Sequence, residues 1–166
     1  MVKALALAAD RLLADRVDRC LVVASEESDW LTGDALRLFG GGVPLAEGAG
    51  AVCLRREPSA VELAAVTEPE LFLAGRGRGP AARRMSEALG GEGDPGGLLV
   101  DGLIGGKADM AEAVAWAGWN GQRVLPRRIL GEGLGASSAW QVVAAADAIR
   151  RGAARRAVVS VVGSNE

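Results

Sequence analysis

The stretch that decides the fold lies in the last third of the chain and reads GEGLGASSA at residues 131–139. Its three alternating glycines are followed by an Ala-rich segment, which predicts a helix over residues 136–151. The next apolar run, RAVVSVV at residues 156–162, is rich in valine and predicts a β-strand. A helix that leads into a buried strand is the building unit of α/β proteins, so the sequence predicts the α/β class.

The remainder of the chain continues this alternation of helices and strands. The apolar patterns predict helices at residues 2–15, 81–89 and 108–119, strands at residues 19–25, 51–55, 61–66, 71–74 and 98–103, an extended segment at residues 123–130, and loop and turn at residues 31–45. The first helix has apolar residues on nearly every face, which predicts burial. The strand at residues 19–25 is a continuous apolar run, typical of a parallel sheet that is covered on both sides.

An internal repeat relates the two ends of the chain. Residues 8–23 align without a gap with residues 145–160, and each copy holds an Ala-rich helix, a short turn with arginine and a strand. Right-handed crossovers of such units build parallel sheets. We therefore expect duplicated helix–strand units that form largely parallel or mixed sheets around buried Ala-rich helices.

Composition limits the classes of function. The chain has 166 residues, a net charge of −2, two cysteines and no histidine. This size predicts one domain, and the charge argues against nucleic-acid binding. No apolar run is long enough for a membrane span, and we expect a cytoplasmic protein. Cys20 and Cys53 lie in apolar runs and are predicted to be buried reduced thiols, although a disulfide or a nucleophilic role remains open.

Three glycine-rich segments resemble the β-ketoacyl synthases, which are condensing enzymes with a thiolase-like fold. Residues 42–52, GVPLAEGAGAV, are similar to the family's Gly-Phe-Val-x-Gly-Glu-Gly-Ala-Gly hairpin and include Glu47, Gly48 and Gly50. Residues 100–112 resemble His-Gly-Thr-Gly-Thr followed by Asn-Asp-x-x-Glu. Residues 127–139 resemble Lys-x-x-x-Gly-His-x-x-Gly-Ala-Ala-Gly. The matching residues of these last two segments and of a terminal Gly-x-Asn are Gly102, Asp109, Glu112, Gly131, Gly135, Gly163 and Asn165.

The resemblance implies a partial thiolase-like domain over residues 1–166. Residues 1–66 resemble the end of the family's first half, and residues 67–166 resemble its second half. Residues 1–27 are similar to the helix and strand that follow the family's nucleophilic cysteine, which would fall about two residues before Met1. On this interpretation Glu47 is a structural acid.

The positions of the family's catalytic residues hold other side chains here. Asp101 and Glu132 stand at the two histidine positions, and Arg127 stands at the lysine position. Claisen condensation needs a thiolate that carries the acyl group and two imidazole donors that stabilise the enolate. An ionised carboxylate at either histidine position would repel that negative charge. We therefore expect no catalytic residue and no cofactor.

These expectations favour a non-catalytic β-ketoacyl synthase-like subunit of fatty-acid or polyketide biosynthesis. We expect a homo-oligomer or a hetero-complex with a full ketosynthase, and an acyl carrier protein is a further candidate partner. One alternative is a fragment of a longer 3-oxoacyl synthase, an acyltransferase. A second is a small α/β module that binds an acyl carrier or acyl group.

Three other sequence patterns are weaker indications of a binding site than the family resemblance is. The glycines of residues 131–135 could bind an anion, and Asp101, Asp109 and Glu112 could hold a hard metal ion. Residues 105–107, GGK, resemble part of a phosphate-binding loop but lack its other residues. We favour tight helix–sheet packing for the glycines. Asp109 and Glu112 are better explained as acids favoured in the first turn of a helix.

Overall fold

The computed structural model describes residues 1–39, 43–70, 77–91, 93–105 and 109–161. In these parts of the chain the elements are α1 (Val2–Leu13), β1 (Arg19–Glu26), α2 (Trp30–Phe39), β2 (Gly48–Arg55), α3 (Arg78–Ala88), β3 (Gly97–Val100), α4 (Asp109–Ala115), β4 (Gln122–Val124), α5 (Pro126–Leu130), α6 (Ser137–Arg150) and β5 (Arg156–Val159). The predicted α/β class is confirmed at this level, with helices and two small sheets.

The strands form two separate sheets. The first pairs β1 with β2 in antiparallel orientation, with Arg19 opposite Arg55. The second has the order β4-β3-β5 and is parallel, with Leu99 of the central strand beside Arg123 and Val158. The second sheet agrees with the expectation of largely parallel or mixed sheets, and the first, which is purely antiparallel, does not.

Helix α6 lies between the two sheets. On one side Val142 packs on a core cluster of Leu5, Ala8 and Val22, which belongs to α1 and β1. On the other side Ala145 packs on Leu98 and Val100 of β3. Small side chains on both faces of the helix allow both sheets to approach closely. The expected buried Ala-rich helix is therefore present at this position.

Gly50 sets the distance between β2 and α6. A Cβ atom at this position would lie 2.7 Å from Cβ of Ala139, closer than two carbon atoms can pack. The glycine-rich stretch at residues 48–50 thus serves the close approach of a strand to a helix.

We predict that Gly50→Val lowers the free energy of unfolding by about 2 to 3 kcal/mol, because an overpacked core must shift its backbone. The matched control is Ala49→Val, which adds two methyl groups to an exposed neighbour on the same strand. The control should stay within about 0.5 kcal/mol of the wild type. Urea denaturation of the three proteins measures the difference, and equal stability of both variants would contradict the close packing.

Several local predictions are wrong. Strand β1 is not part of a parallel sheet covered on both sides, because its partner is antiparallel and its outer face is exposed. The segment predicted as loop contains α2. The Asp29 carboxylate caps the start of this helix, because it accepts a hydrogen bond from the Thr32 N–H at 2.6 Å. The segment predicted as extended begins as β4 and then forms α5, with Pro126 in its favoured first position.

Other corrections concern burial and pairing. Residues 61–66 form no strand, because among the described residues no strand lies beside them to complete their hydrogen bonds. Helix α1 is buried on one face only, since Leu7 and Leu13 are exposed. Cys20 is half-buried and Cys53 is exposed, so the prediction of two buried thiols is wrong for Cys53. The predicted strand at residues 71–74 lies outside the described residues.

The two copies of the repeat both form a helix followed by a strand, α1–β1 and α6–β5. Their strands pair differently, because β1 joins an antiparallel partner and β5 a parallel one. In the described part of the chain, no helix is both long enough and apolar enough to cross a membrane.

Candidate functional site

The candidate site lies at the carboxyl ends of the parallel strands. Asp101 directly follows β3, Ser160 directly follows β5, and α5 follows β4 after one residue. Backbone hydrogen bonds from Asp101 N–H to Val124 O (3.1 Å) and from Ser160 N–H to Val100 O (3.0 Å) hold these three ends side by side. This edge is where open α/β sheets place their binding sites.

An arginine and a glutamate form the centre of the site. One terminal nitrogen of Arg127, Nη1, donates to Gly102 O at 2.7 Å, and the other, Nη2, pairs with the Glu132 carboxylate. The Glu132 carboxylate also accepts hydrogen bonds from Ser137 Oγ at 3.0 Å and from the Leu134 N–H at 2.8 Å. Arg127 and Glu132 therefore form a largely buried ion pair.

Glu112 reaches the same glycine from the other side. Its side chain is 2% exposed, and Oε1 accepts a hydrogen bond from the Gly102 N–H at 2.9 Å. A Cβ at Gly102 would lie 3.2 Å from both Glu112 Oε2 and Arg127 Nη1, so a larger residue would require both charged groups to shift by a few tenths of an ångström. Burial raises the pKa of Glu112 from 4.5 to about 7, although hydrogen bonds from Ser160 and Gly102 oppose that rise.

Asp101 is the least satisfied acid of the site. The residue is 1% exposed, its Oδ1 accepts a hydrogen bond from the Leu103 N–H at 3.2 Å, and its Oδ2 has no hydrogen-bond partner. The nearest cation is Arg123, whose Nε lies 3.7 Å from Oδ2. Burial raises the pKa of Asp101, and the Leu103 N–H and the Arg123 charge oppose this effect. Burial also lowers the pKa of Arg127.

Three polar residues of the site, Gln141, Ser160 and Arg123, were not predicted from the sequence. Gln141 on α6 is fully buried and its Nε2 donates to Ser160 O at 2.8 Å. The Ser160 hydroxyl accepts from Trp116 Nε1 at 3.0 Å, and Arg123 donates to Trp116 O at 2.8 Å. A lone amide in an Ala- and Val-rich helix is a signal that would have found Gln141, because a buried amide requires partners.

The glycines of residues 131–135 serve packing, as predicted. A Cβ at Gly133 would lie 2.3 Å from the Trp140 ring, and Gly131 has a φ of 95° that favours glycine. The loop amides already have partners within the chain, since the Gly133 N–H donates to Ser137 Oγ at 2.9 Å and the Gly135 N–H donates to Glu26 Oε2 at 3.1 Å. An added anion would have to displace these groups.

Asp109 and Glu112 lie in the first turn of α4, as predicted, but both bind the preceding loop. Asp109 Oδ2 accepts hydrogen bonds from the Ile104 and Gly105 N–H groups, at 2.9 and 2.5 Å. Within the described ranges no group of three or more His, Cys, Asp and Glu side chains could hold a metal ion. Lys107 of the phosphate-loop pattern lies outside those ranges.

The remaining motif residues lie away from this network. Glu47 is exposed and accepts a hydrogen bond from the Ser28 N–H at 3.3 Å. A Cβ at Gly48 would lie 3.0 Å from the Trp140 ring. Gly163 and Asn165 lie outside the described residues. Trp116 and Trp119 are buried and pack against each other, with ring centroids 5.8 Å apart in an edge-to-face arrangement.

The geometry offers structural ion pairing more readily than catalysis. Cys20 and Cys53 belong to the other sheet, on β1 and β2. The small cavity beside Trp116 and Ser160 has a volume of about 60 Å³, well below the size of ordinary ligand pockets. Comparisons with protein-family models, with curated proteins and with solved structures find no match.

Proposed function

We propose that this chain is a non-catalytic, β-ketoacyl synthase-like subunit that associates with a competent condensing enzyme. One observation carries the proposal. Two of the three residues that resemble the family's catalytic positions, Arg127 and Glu132, form an ion pair, and Arg127 also donates to the carbonyl of Gly102, which directly follows the third, Asp101. A family-like site in which all three side chains are altered is the arrangement expected of a subunit that has lost the reaction.

The chemistry of the network supports a structural role. Glu132 is held by Arg127, Ser137 and a backbone N–H, so its carboxylate is bound within the chain instead of facing a substrate. Asp101 has a raised pKa, but its carboxyl lies next to the Arg123 guanidinium, which favours the charged form. A thiol nucleophile is missing from the described part of this site.

Exposed apolar side chains next to the site support association. Ile129 on α5 is 86% exposed, and Leu130 and Leu134 are also exposed. These three residues lie on either side of Glu132 in the sequence, and we call them the apolar rim. Exposed apolar residues that cluster on a surface mark protein contact sites.

The experiment begins with the purified chain alone. We expect no decarboxylation of malonyl thioester and no condensation above the background rate, because the site offers no thiolate and no imidazole. Native mass spectrometry of the protein purified from its own cells should then show the chain bound to a larger condensing enzyme. Catalysis by the chain alone, or a free monomer from those cells, would contradict the proposal.

A pair of variants tests the position of the contact. Ile129→Asp should abolish the complex, because it places a charge on the apolar rim. Met110→Asp is the matched control, since Met110 is also highly exposed, at 72% against 86% for Ile129, but lies on α4. Equal loss with both variants would argue against the rim as the contact. A single polypeptide heavier than 17.0 kDa, measured by mass spectrometry under denaturing conditions, would instead favour the fragment of a longer synthase.

A further inference from the structure

The outer face of the β1–β2 sheet has its charges separated at its two ends. Alternate residues of each strand point outward, and all eight of these are exposed: Arg19, Leu21, Val23 and Ser25 on β1, and Ala49, Ala51, Cys53 and Arg55 on β2. The register places Arg19 opposite Arg55, so two cations stand side by side at one end. The middle of the face is apolar, with Leu21 69% exposed and Val23 56% exposed.

The opposite end of the same face is acidic. Glu27 follows β1 and Glu47 precedes β2, and both side chains are exposed. Continuing the strand register by one residue brings these two acids opposite each other. The sheet thus presents two arginines, an apolar strip and two glutamates in order, over a length of about 27 Å.

Neighbouring charges within the chain leave this polarity intact. At the basic end Arg56 pairs with Asp15 and Asp18. These two acids are therefore partly neutralised by Arg56 and not by the two arginines of the outer face. At the acidic end Glu26 points to the inner side and binds the Gly135 N–H. Glu47 accepts a hydrogen bond from the Ser28 N–H, which leaves its negative charge in place.

We infer that this face binds the same face of a second copy of the chain. A two-fold axis between the sheets and perpendicular to the strands places the arginine end of each copy over the glutamate end of the other. Val23 of one copy then meets Val23 of the other at the centre, and Leu21 of each copy lies over Ser25 of the other. Face-to-face stacking of two sheets is a common arrangement, and a two-fold contact requires a self-complementary surface of this kind.

The area limits the strength of this dimer. A face of two short strands is smaller than the roughly 800 Å² per partner of a typical stable interface, so the dimer should be weak and concentration-dependent. Its four end-to-end charge contacts are exposed, which makes them sensitive to salt. We expect high salt to weaken the association by about tenfold, the combined effect of several surface pairs. The contact needs no condensing enzyme, so it stands independently of the proposed function.

Charge reversal provides the decisive experiment. Arg19→Glu with Arg55→Glu makes both ends acidic, and Glu27→Arg with Glu47→Arg makes both ends basic. In sedimentation velocity at low salt, each double variant alone should be monomeric at concentrations where the wild type dimerises. An equimolar mixture of the two variants should form a heterodimer, because each acidic end then meets a basic end. Circular dichroism checks that both variants are folded.

An apolar variant tests the centre of the face. Leu21→Ser should weaken the dimer at least tenfold, whereas Leu13→Ser, at a slightly more exposed position on α1, should not. The inference is overturned if the wild type stays monomeric at high concentration and low salt, if the double variants dimerise like the wild type, or if their mixture does not associate. Association that occurs only with a different protein would also overturn it.

Discussion

Arg127→Met is expected to lower the free energy of unfolding by about 3 to 5 kcal/mol, the usual cost of leaving one member of a buried ion pair without its partner. The Glu132 carboxylate would keep its hydrogen bonds from Ser137 and Leu134 but lose its only cation in the described site. Gly102 O would also lose the hydrogen bond from Arg127. Urea denaturation followed by the fluorescence of the buried tryptophans measures the change.

The double variant Arg127→Met, Glu132→Gln separates this electrostatic effect from lost packing. Removal of both charges should restore most of the lost stability, because replacing a whole buried pair is often close to neutral. The single variant Glu132→Gln completes the cycle. Arg128→Met is the control, since the neighbouring Arg128 is exposed, and it should change stability by less than about 0.5 kcal/mol. A double variant no more stable than Arg127→Met would show that the charge of Glu132 is not the cause.

The second large effect is a loss of stability as the pH rises from about 5 to about 8, caused by Glu112. Its pKa is about 7 in the folded protein, against an ordinary value of 4.5. Between these values the folded state holds a proton that the unfolded state has released, so stability falls as the pH rises. The difference corresponds to at most about 3 kcal/mol. The raised pKa of Asp101 acts in the same direction.

Glu112→Gln should remove most of this pH dependence. The amide keeps an oxygen that can accept the Gly102 N–H, but it cannot ionise, so the variant should be more stable than the wild type above about pH 8. Thermal unfolding at several pH values measures both proteins. Asp147→Asn is the control, because Arg151 and Arg150 lower the pKa of Asp147. Asp147 therefore changes the stability of the protein only at acid pH, so this variant should keep the loss of stability between about pH 5 and 8. A wild-type pH profile retained in Glu112→Gln would exclude Glu112 as the group responsible.

Some site residues lie in recognisable sequence motifs, and others acquire their role only through tertiary packing. Short sequence motifs surround Asp101, Arg127 and Glu132. The contact of Arg127 with Gly102, next to Asp101, depends on the parallel pairing of β3 with β4 and on the position of α5. Gln141 and Ser160 had no motif, and their role follows only from the burial of α6 against the ends of two strands.

The sequence by itself determined the helix–strand units and the small residues at close contacts. Helices α1, α3 and α6 and strands β1, β2 and β5 lie close to their predicted positions, because helical periodicity and β-branched runs are properties of short segments. Only the tertiary structure decided that β1 is antiparallel and open on one face, and that Arg127 neutralises Glu132. Strand direction and ion pairing depend on which distant segments meet, and no local pattern encodes that choice.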